Sequence, residues 1–176
     1  MRTKEIWIQT WSGLRFSPLD PQRYGITIGD IAHALAYTCR FGGHCSRYYS
    51  VAEHSVYVSH HVPEGLALTG LLHDAAEAYL GDVPRPLKPM WRNYKTIERK
   101  VLQAICVRFS AEYPDERVKR IDNAILATEA HVLMGQGLSG WHLPENPLEI
   151  SIAGWGPEEA ERRFLERYHQ IKHGRS

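Results

Sequence analysis

At the end of the apolar run Leu66-Ala67-Leu68-Thr69-Gly70-Leu71-Leu72 the chain places His73 and Asp74 side by side, and no other feature limits the fold as strongly. An imidazole and a carboxylate carried into an apolar interior cost several kcal/mol unless they pair or ligate a metal. The fold therefore has to deliver partners to this point from elsewhere in the chain. At 176 residues the chain suits one domain, spanning residues 1–176 and long enough to bury a core without staples.

Helical spacing dominates the rest. Ile31, Ala34, Leu35 and Thr38 predict a helix from Ile28 to Cys39, stopped by Gly42-Gly43. Ser50 followed by Glu53 matches a capping box and predicts a helix running to about His61, ended by Pro63. The spacing next predicts one helix from about Glu64 to Leu80, closed by Gly81, with His73, Asp74 and Glu77 within roughly a 100° arc of one face. Three prolines at 84, 86 and 89 make the following stretch a stiff loop. Ile97, Val101, Ile105 and Phe109 mark a helix from about Trp91 to Ser110. Another is expected from about Asp115 to Met134, ended by Gly135 and Gly137, and a last one from Pro157 to about His173. Ile6–Thr10 and Leu14–Phe16, broken by Ser12-Gly13, read as a short hairpin, and 137–156 looks irregular. The expected class is all-α: one helical bundle with a short N-terminal β-hairpin.

Composition narrows the function. A net charge of +1 leaves no basic footprint for duplex nucleic acid, so an anionic partner would be bound locally. Cys39, Cys45 and Cys106 are odd in number and lack CxxC spacing, which argues against a disulfide framework or a thiolate zinc site. No apolar run approaches the roughly 20 residues that span a bilayer, and a cytoplasmic, soluble protein is expected. Among ten histidines, His54 is the best further ligand, because its helix directly precedes the one carrying His73. Asp122 is the best fourth, set among the core-facing Ile125, Leu126 and Leu133. Each has an ordinary explanation alone: a helix ion pair, a satisfied core histidine, a solvated carboxylate. Together they suit one divalent transition ion, Zn²⁺, Co²⁺, Mn²⁺ or Fe²⁺.

The order His54, His73-Asp74, Asp122 on a helical chain resembles the HD superfamily of metal-dependent phosphohydrolases. Arg40-Phe41, then Tyr49-Ser50-Val51-Ala52-Glu53-His54-Ser55, His73-Asp74-Ala75-Ala76-Glu77 and Gly81-Asp82-Val83-Pro84-Arg85-Pro86-Leu87-Lys88 are similar to bacterial 5'-deoxynucleotidases and phage dATP triphosphohydrolases. The resemblance covers about residues 28 to 130. It implies that His54, His73, Asp74 and Asp122 hold the metal, that Glu77 is the acid/base, and that Asp82 is a second carboxylate. It further implies that Arg40 binds phosphate, that Phe41 stacks where relatives carry Trp, and that Lys88 and Arg92 bind further phosphates. Pro86 stiffens Lys88, and His44 fills a pocket widened by Gly42-Gly43. Arg85 is read as part of a solvated basic loop. No histidine lies between Asp74 and Asp122, which favours one ion, with Mg²⁺ on the substrate phosphates a compatible addition.

The substrate implied is a deoxynucleotide. Lys88 and Arg92 place dATP triphosphohydrolysis ahead of 5'-deoxynucleotidase activity, and a non-catalytic metal-braced nucleotide module is the third alternative. The resemblance also implies a homo-oligomer, and the lack of a long apolar run leads to the expectation of no membrane partner.

Overall fold

The computed structural model describes residues 5–135, 138 and 140–174, and Gly137, expected to help end a helix, lies outside them. The described chain is mostly helical, with one two-stranded antiparallel hairpin. In that hairpin β1 (Ile8–Gln9) pairs with β2 (Arg15–Phe16), Ile8 opposite Phe16. Phe16 is buried and stacks on Tyr79, and Asp30 binds the turn by accepting from Ser12 N and Oγ, each at 2.8 Å. Asp30 belongs to α1 (Ile28–Tyr37), capped by Thr27. This helix ends two residues before Cys39. Thr38 turns extended, and a β-bridge joins Cys39 to Ser50, so Gly42-Gly43 serve a later 3-10 turn rather than the helix end.

α2 (Val51–His61) starts where the Ser50 cap predicts, with Ser50 Oγ accepting from Glu53 N at 3.0 Å. The capping box is only half used. The Glu53 carboxylate accepts from Gly154 N at 2.8 Å and Trp155 N at 2.7 Å, tying α2 to the segment before the last helix. A 3-10 turn at Glu64–Leu66 reverses the chain into α3 (Ala67–Leu72), which packs directly on α2. The two helices meet at Gly70, where a Cβ would lie 3.2 Å from Ser59 Cα.

The expected helix from Glu64 to Leu80 is broken. α3 stops at Leu72, residues 73–76 form a turn, and α4 (Glu77–Leu80) follows. Through the turn the backbone closes bonds three residues back, Ala75 to Leu72 and Glu77 to Asp74, a tighter winding than the four-residue step of an α-helix. His73 Nδ1 meanwhile donates to the Gly70 carbonyl at 2.8 Å, taking the acceptor that a continuous helix would offer to the backbone of Asp74.

The proline loop contains a 3-10 turn at Lys88–Met90, and α5 begins at Tyr94, not Trp91, because Trp91 is extended and Asn93 is left-handed with φ 67°. α5 (Tyr94–Phe109) buries Val101, Ile105 and Phe109. α6 (Glu116–Leu133) is capped by Asp115, and α7 (Pro157–His173) lies against α1 and α2 through Ala160 and Phe164. The described part of 138–156 holds no helix or strand, yet it is anchored. Thr128 Oγ1 on α6 donates to Leu148 O and accepts from Leu148 N, both at 2.9 Å. The three cysteines are free, and no helix among the described residues is long and apolar enough to cross a membrane.

Candidate metal centre

Three segments far apart in the chain converge on one point. His54 comes from α2 and is 0% exposed, and His73 and Asp74 come from the turn after α3. Asp122 comes from the second turn of α6. The two Nε2 atoms of His54 and His73 stand 3.2 Å apart. Asp74 Oδ2 lies 3.2 Å from His73 Nε2 and 3.7 Å from His54 Nε2. Asp122 Oδ1 lies 3.2 Å from His54 Nε2 and 3.9 Å from His73 Nε2. His54, His73 and Asp74 form a group that could hold a metal ion.

The chemistry of the donors fits that role. Both Nδ1 atoms face acceptors, Glu129 Oε1 for His54 at 2.5 Å and Gly70 O for His73, so both Nε2 lone pairs are free to turn inward. Burial opposes the charge on His73, but Asp74 and Asp122 overcome it and push its pKa up to about 9. Burial likewise favours a neutral Asp74, and the two histidines with Arg40 outweigh it and hold the carboxyl far below its ordinary range.

Beside the cluster opens a cavity of about 690 Å³, within the size range of small-molecule sites. Arg40, Phe41 and His44 line it from the 3-10 turn, where Phe41 itself is left-handed at φ 56°. Asp74 and Asp122 form part of its wall, with Glu77, Asp82, Pro86 and Lys88 beside them. Arg40 Nη1 lies 3.6 Å from Asp74 Oδ2. Glu77 is 5% exposed, and burial, with Asp74 and Asp82 nearby, raises its pKa well above the ordinary value. Its Oε1 accepts from Lys88 Nζ at 3.3 Å, while Oε2 is buried without a hydrogen-bond partner among the described residues. Burial raises the Asp82 carboxyl as well.

Two further cations sit differently with respect to the cavity. Arg92 is exposed, ahead of the left-handed Asn93, and does not line the cavity, because α5 starts later than its spacing suggests. Arg85 is exposed but not isolated. Although 60% exposed, its guanidinium donates to Asn123 Oδ1 at 2.9 Å and to Asp122 Oδ2 at 3.3 Å, since the Pro84–Leu87 turn swings it toward α6.

Other residues went unread in the sequence. Glu129, 0% exposed, accepts from His54, from Tyr49 OH at 2.7 Å and from Arg40 Nη2 at 2.9 Å. It follows Asp122 by seven residues, two helical turns, and that spacing was the available signal. Trp141 lines the cavity with its ring 6.2 Å from that of Phe41, a neighbour that no local pattern announces.

No family model matches the chain. It is 36% identical over 169 residues to the uncharacterized protein YfdR of Escherichia coli strain K12, a match covering 94% of this chain and 95% of YfdR. The chain belongs to the YfdR family. An uncharacterized protein of Rhodobacter capsulatus is 37% identical to this YfdR-family chain over 189 residues, with 96% of each covered. A more distant relative, the 5'-deoxynucleotidase of Photobacterium profundum, is 25% identical over 136 residues, spanning 73% of this chain and 62% of that one. The His54, His73 and Asp74 cluster of the YfdR-family chain fits an HD-type metal site.

Proposed function

We propose that this chain is a metal-dependent phosphohydrolase that releases orthophosphate from deoxynucleoside 5'-monophosphates. The observation behind this assignment is the convergence of His54, His73 and Asp74 beneath a cavity whose wall carries Arg40. The distant relationship to a protein named 5'-deoxynucleotidase supports it. Monophosphates are preferred over the dATP expected from the basic loop because the cations there are already engaged. Lys88 Nζ is bound by Glu98 at 2.7 Å and by Glu77, Arg85 is held on α6, and Arg92 stands outside the cavity. That leaves little positive charge for two further phosphates.

His54, His73 and Asp74 would hold the ion, with Asp122 as fourth ligand, and Zn²⁺, Co²⁺, Mn²⁺ and Fe²⁺ all suit such a set. When bound, the ion polarises the phosphoryl oxygen and lowers the pKa of water toward neutrality. Arg40 grips the phosphate, and its contact with Glu129 fixes the fork in advance. Glu77, whose carboxyl burial pushes upward and which lines the cavity, is placed to pass a proton to the leaving 5'-oxygen. Phe41 and Trp141, tilted against each other on the cavity wall, offer the base an aromatic face to stack on, and Asp82 supplies the second carboxylate of the wall.

Metal-stripped protein reloaded with each ion and offered dNMPs, NMPs and dNTPs provides the test. Orthophosphate from dNMPs, lost on chelation, is expected. Triphosphate released from dNTPs would support the triphosphohydrolase instead, and no hydrolysis of any nucleotide would remove the proposal.

A further inference from the structure

The Glu129 carboxylate is a junction between two parts of the site. Its Oε1 takes both the His54 Nδ1 proton and the Tyr49 hydroxyl, while Oε2 takes Arg40 Nη2. Every polar atom of the side chain is therefore used, in a place with 0% exposure. A carboxylate buried for packing alone would be replaced at no loss by an apolar residue, since its desolvation cost exceeds what a single pair returns. Here the donors belong to the groups with chemical work to do. The proton held on Nδ1 leaves the His54 Nε2 lone pair aimed at His73 and Asp122. The grip on one terminal nitrogen of Arg40 leaves the other, Nη1, beside Asp74 at the cavity wall.

Building on the proposed function above, we infer that Glu129 is a positioning residue that sets two properties at once: the affinity of the centre for its ion, through His54, and the grip on substrate phosphate, through Arg40. It touches neither ion nor substrate. Its seven-residue offset from Asp122 makes one face of α6 carry a ligand candidate and the support of another ligand, so docking α6 delivers both together.

The experiment is Glu129→Gln, which keeps the shape and one acceptor oxygen but turns the other position into a donor facing Arg40 or His54. Calorimetric titration with Zn²⁺ or Mn²⁺ alone should show affinity weakened about 10- to 100-fold, the usual loss on removing a ligand's hydrogen-bonded support. At saturating metal, the KM for dAMP should rise several-fold, more than kcat falls. Arg40→Lys, which keeps a positive charge beside Asp74 and Glu129, should raise KM alike while weakening metal affinity clearly less than Glu129→Gln does, which separates the two arms. A variant that melts earlier but keeps both metal affinity and KM overturns the inference and leaves Glu129 a structural residue.

Should the variant not fold, nitrogen NMR of ¹⁵N-histidine in zinc-loaded wild type decides the point. A protected His54 Nδ1 proton is required, and a proton on Nε2 overturns the inference. If wild type binds metal but hydrolyses no nucleotide, the proposed function falls, while the affinity and NMR measurements still settle the role of Glu129.

Discussion

Replacing Gly70 by alanine separates local preference from the packing that builds the centre. In an isolated helix the change would help by about 1 kcal/mol, because glycine is the poorer helix former. At this position the added Cβ would lie 2.9 Å from Val62 Cγ2, 3.2 Å from Ser59 Cα and 3.3 Å from Ser59 N. The Val62 side chain can rotate away, but the Ser59 backbone cannot, so α2 has to move from α3 by a few tenths of an ångström. Overpacking of this kind costs about 1–3 kcal/mol, leaving a net loss of about 1 kcal/mol and a Tm lower by roughly 2–4 °C for a chain of this size.

The centre should suffer more than the fold. α2 carries His54 and α3 leads into His73, whose ring is held by the Gly70 carbonyl itself. Ligand distances tolerate only about 0.2 Å, so metal affinity should fall on the order of tenfold. Thermal melts with and without chelator, together with calorimetric metal titration, give both quantities. A Gly70→Ala protein that melts above wild type and binds metal unchanged would refute the close approach as the limit on this interface.

Asp74 and Asp122 push the His73 pKa up to about 9, so metal loading at pH 7 should release protons, and affinity should climb with pH until His73 titrates. Calorimetry in buffers of differing ionisation enthalpy measures that release, and its absence would contradict the geometry. The same raised imidazole stabilises the ion-free fold fully below its unfolded pKa near 6.5, and that contribution is lost as pH rises through about 9. Asp30 works in the opposite direction. Burial would raise its pKa, but the bonds from Ser12 and Thr27 lower it, giving stability that is present above the unfolded value near 3.9 and lost as pH falls through the lower folded one. Asp30→Asn should cost about 1–3 kcal/mol by urea unfolding near neutrality and flatten the acid slope, and an unchanged slope would count against it. Trp141→Ala should raise the KM for dAMP about fivefold with kcat retained, equivalent to about 1 kcal/mol of stacking, and an unchanged KM would remove the tryptophan from the base site.

Where a local signal and the tertiary structure agree, the sequence was readable. Ser50, Asp115 and Pro157 open α2, α6 and α7 as their capping chemistry dictates. The break at residues 73–76 was not readable, because Ala75, Ala76 and Tyr79 continue the apolar pattern and neither Gly nor Pro interrupts it. The tight turn follows from side-chain and site demands that hydrophobic spacing does not encode. Among the cations, Lys88 and Arg85 line the cavity and Arg92 does not, because the path of a proline loop depends on what it packs against. Glu129 was hidden for a related reason: a glutamate on a charged helix reads as solvent-facing until Tyr49, Arg40 and His54 arrive from other segments.

The centre is assembled over two very different lengths of chain. His54 and His73 are separated by 19 residues and meet when the α2–α3 reversal closes, whereas His54 and Glu129 are separated by 75. Closing the longer loop costs only about 1 kcal/mol more in chain entropy, yet it depends on everything that seats α6. The topology thus brings two ligands together over a short loop and adds their support from a distant helix. A substitution that loosens α6 at its far end, well away from any nucleotide, would be felt first as a shorter residence time for the ion.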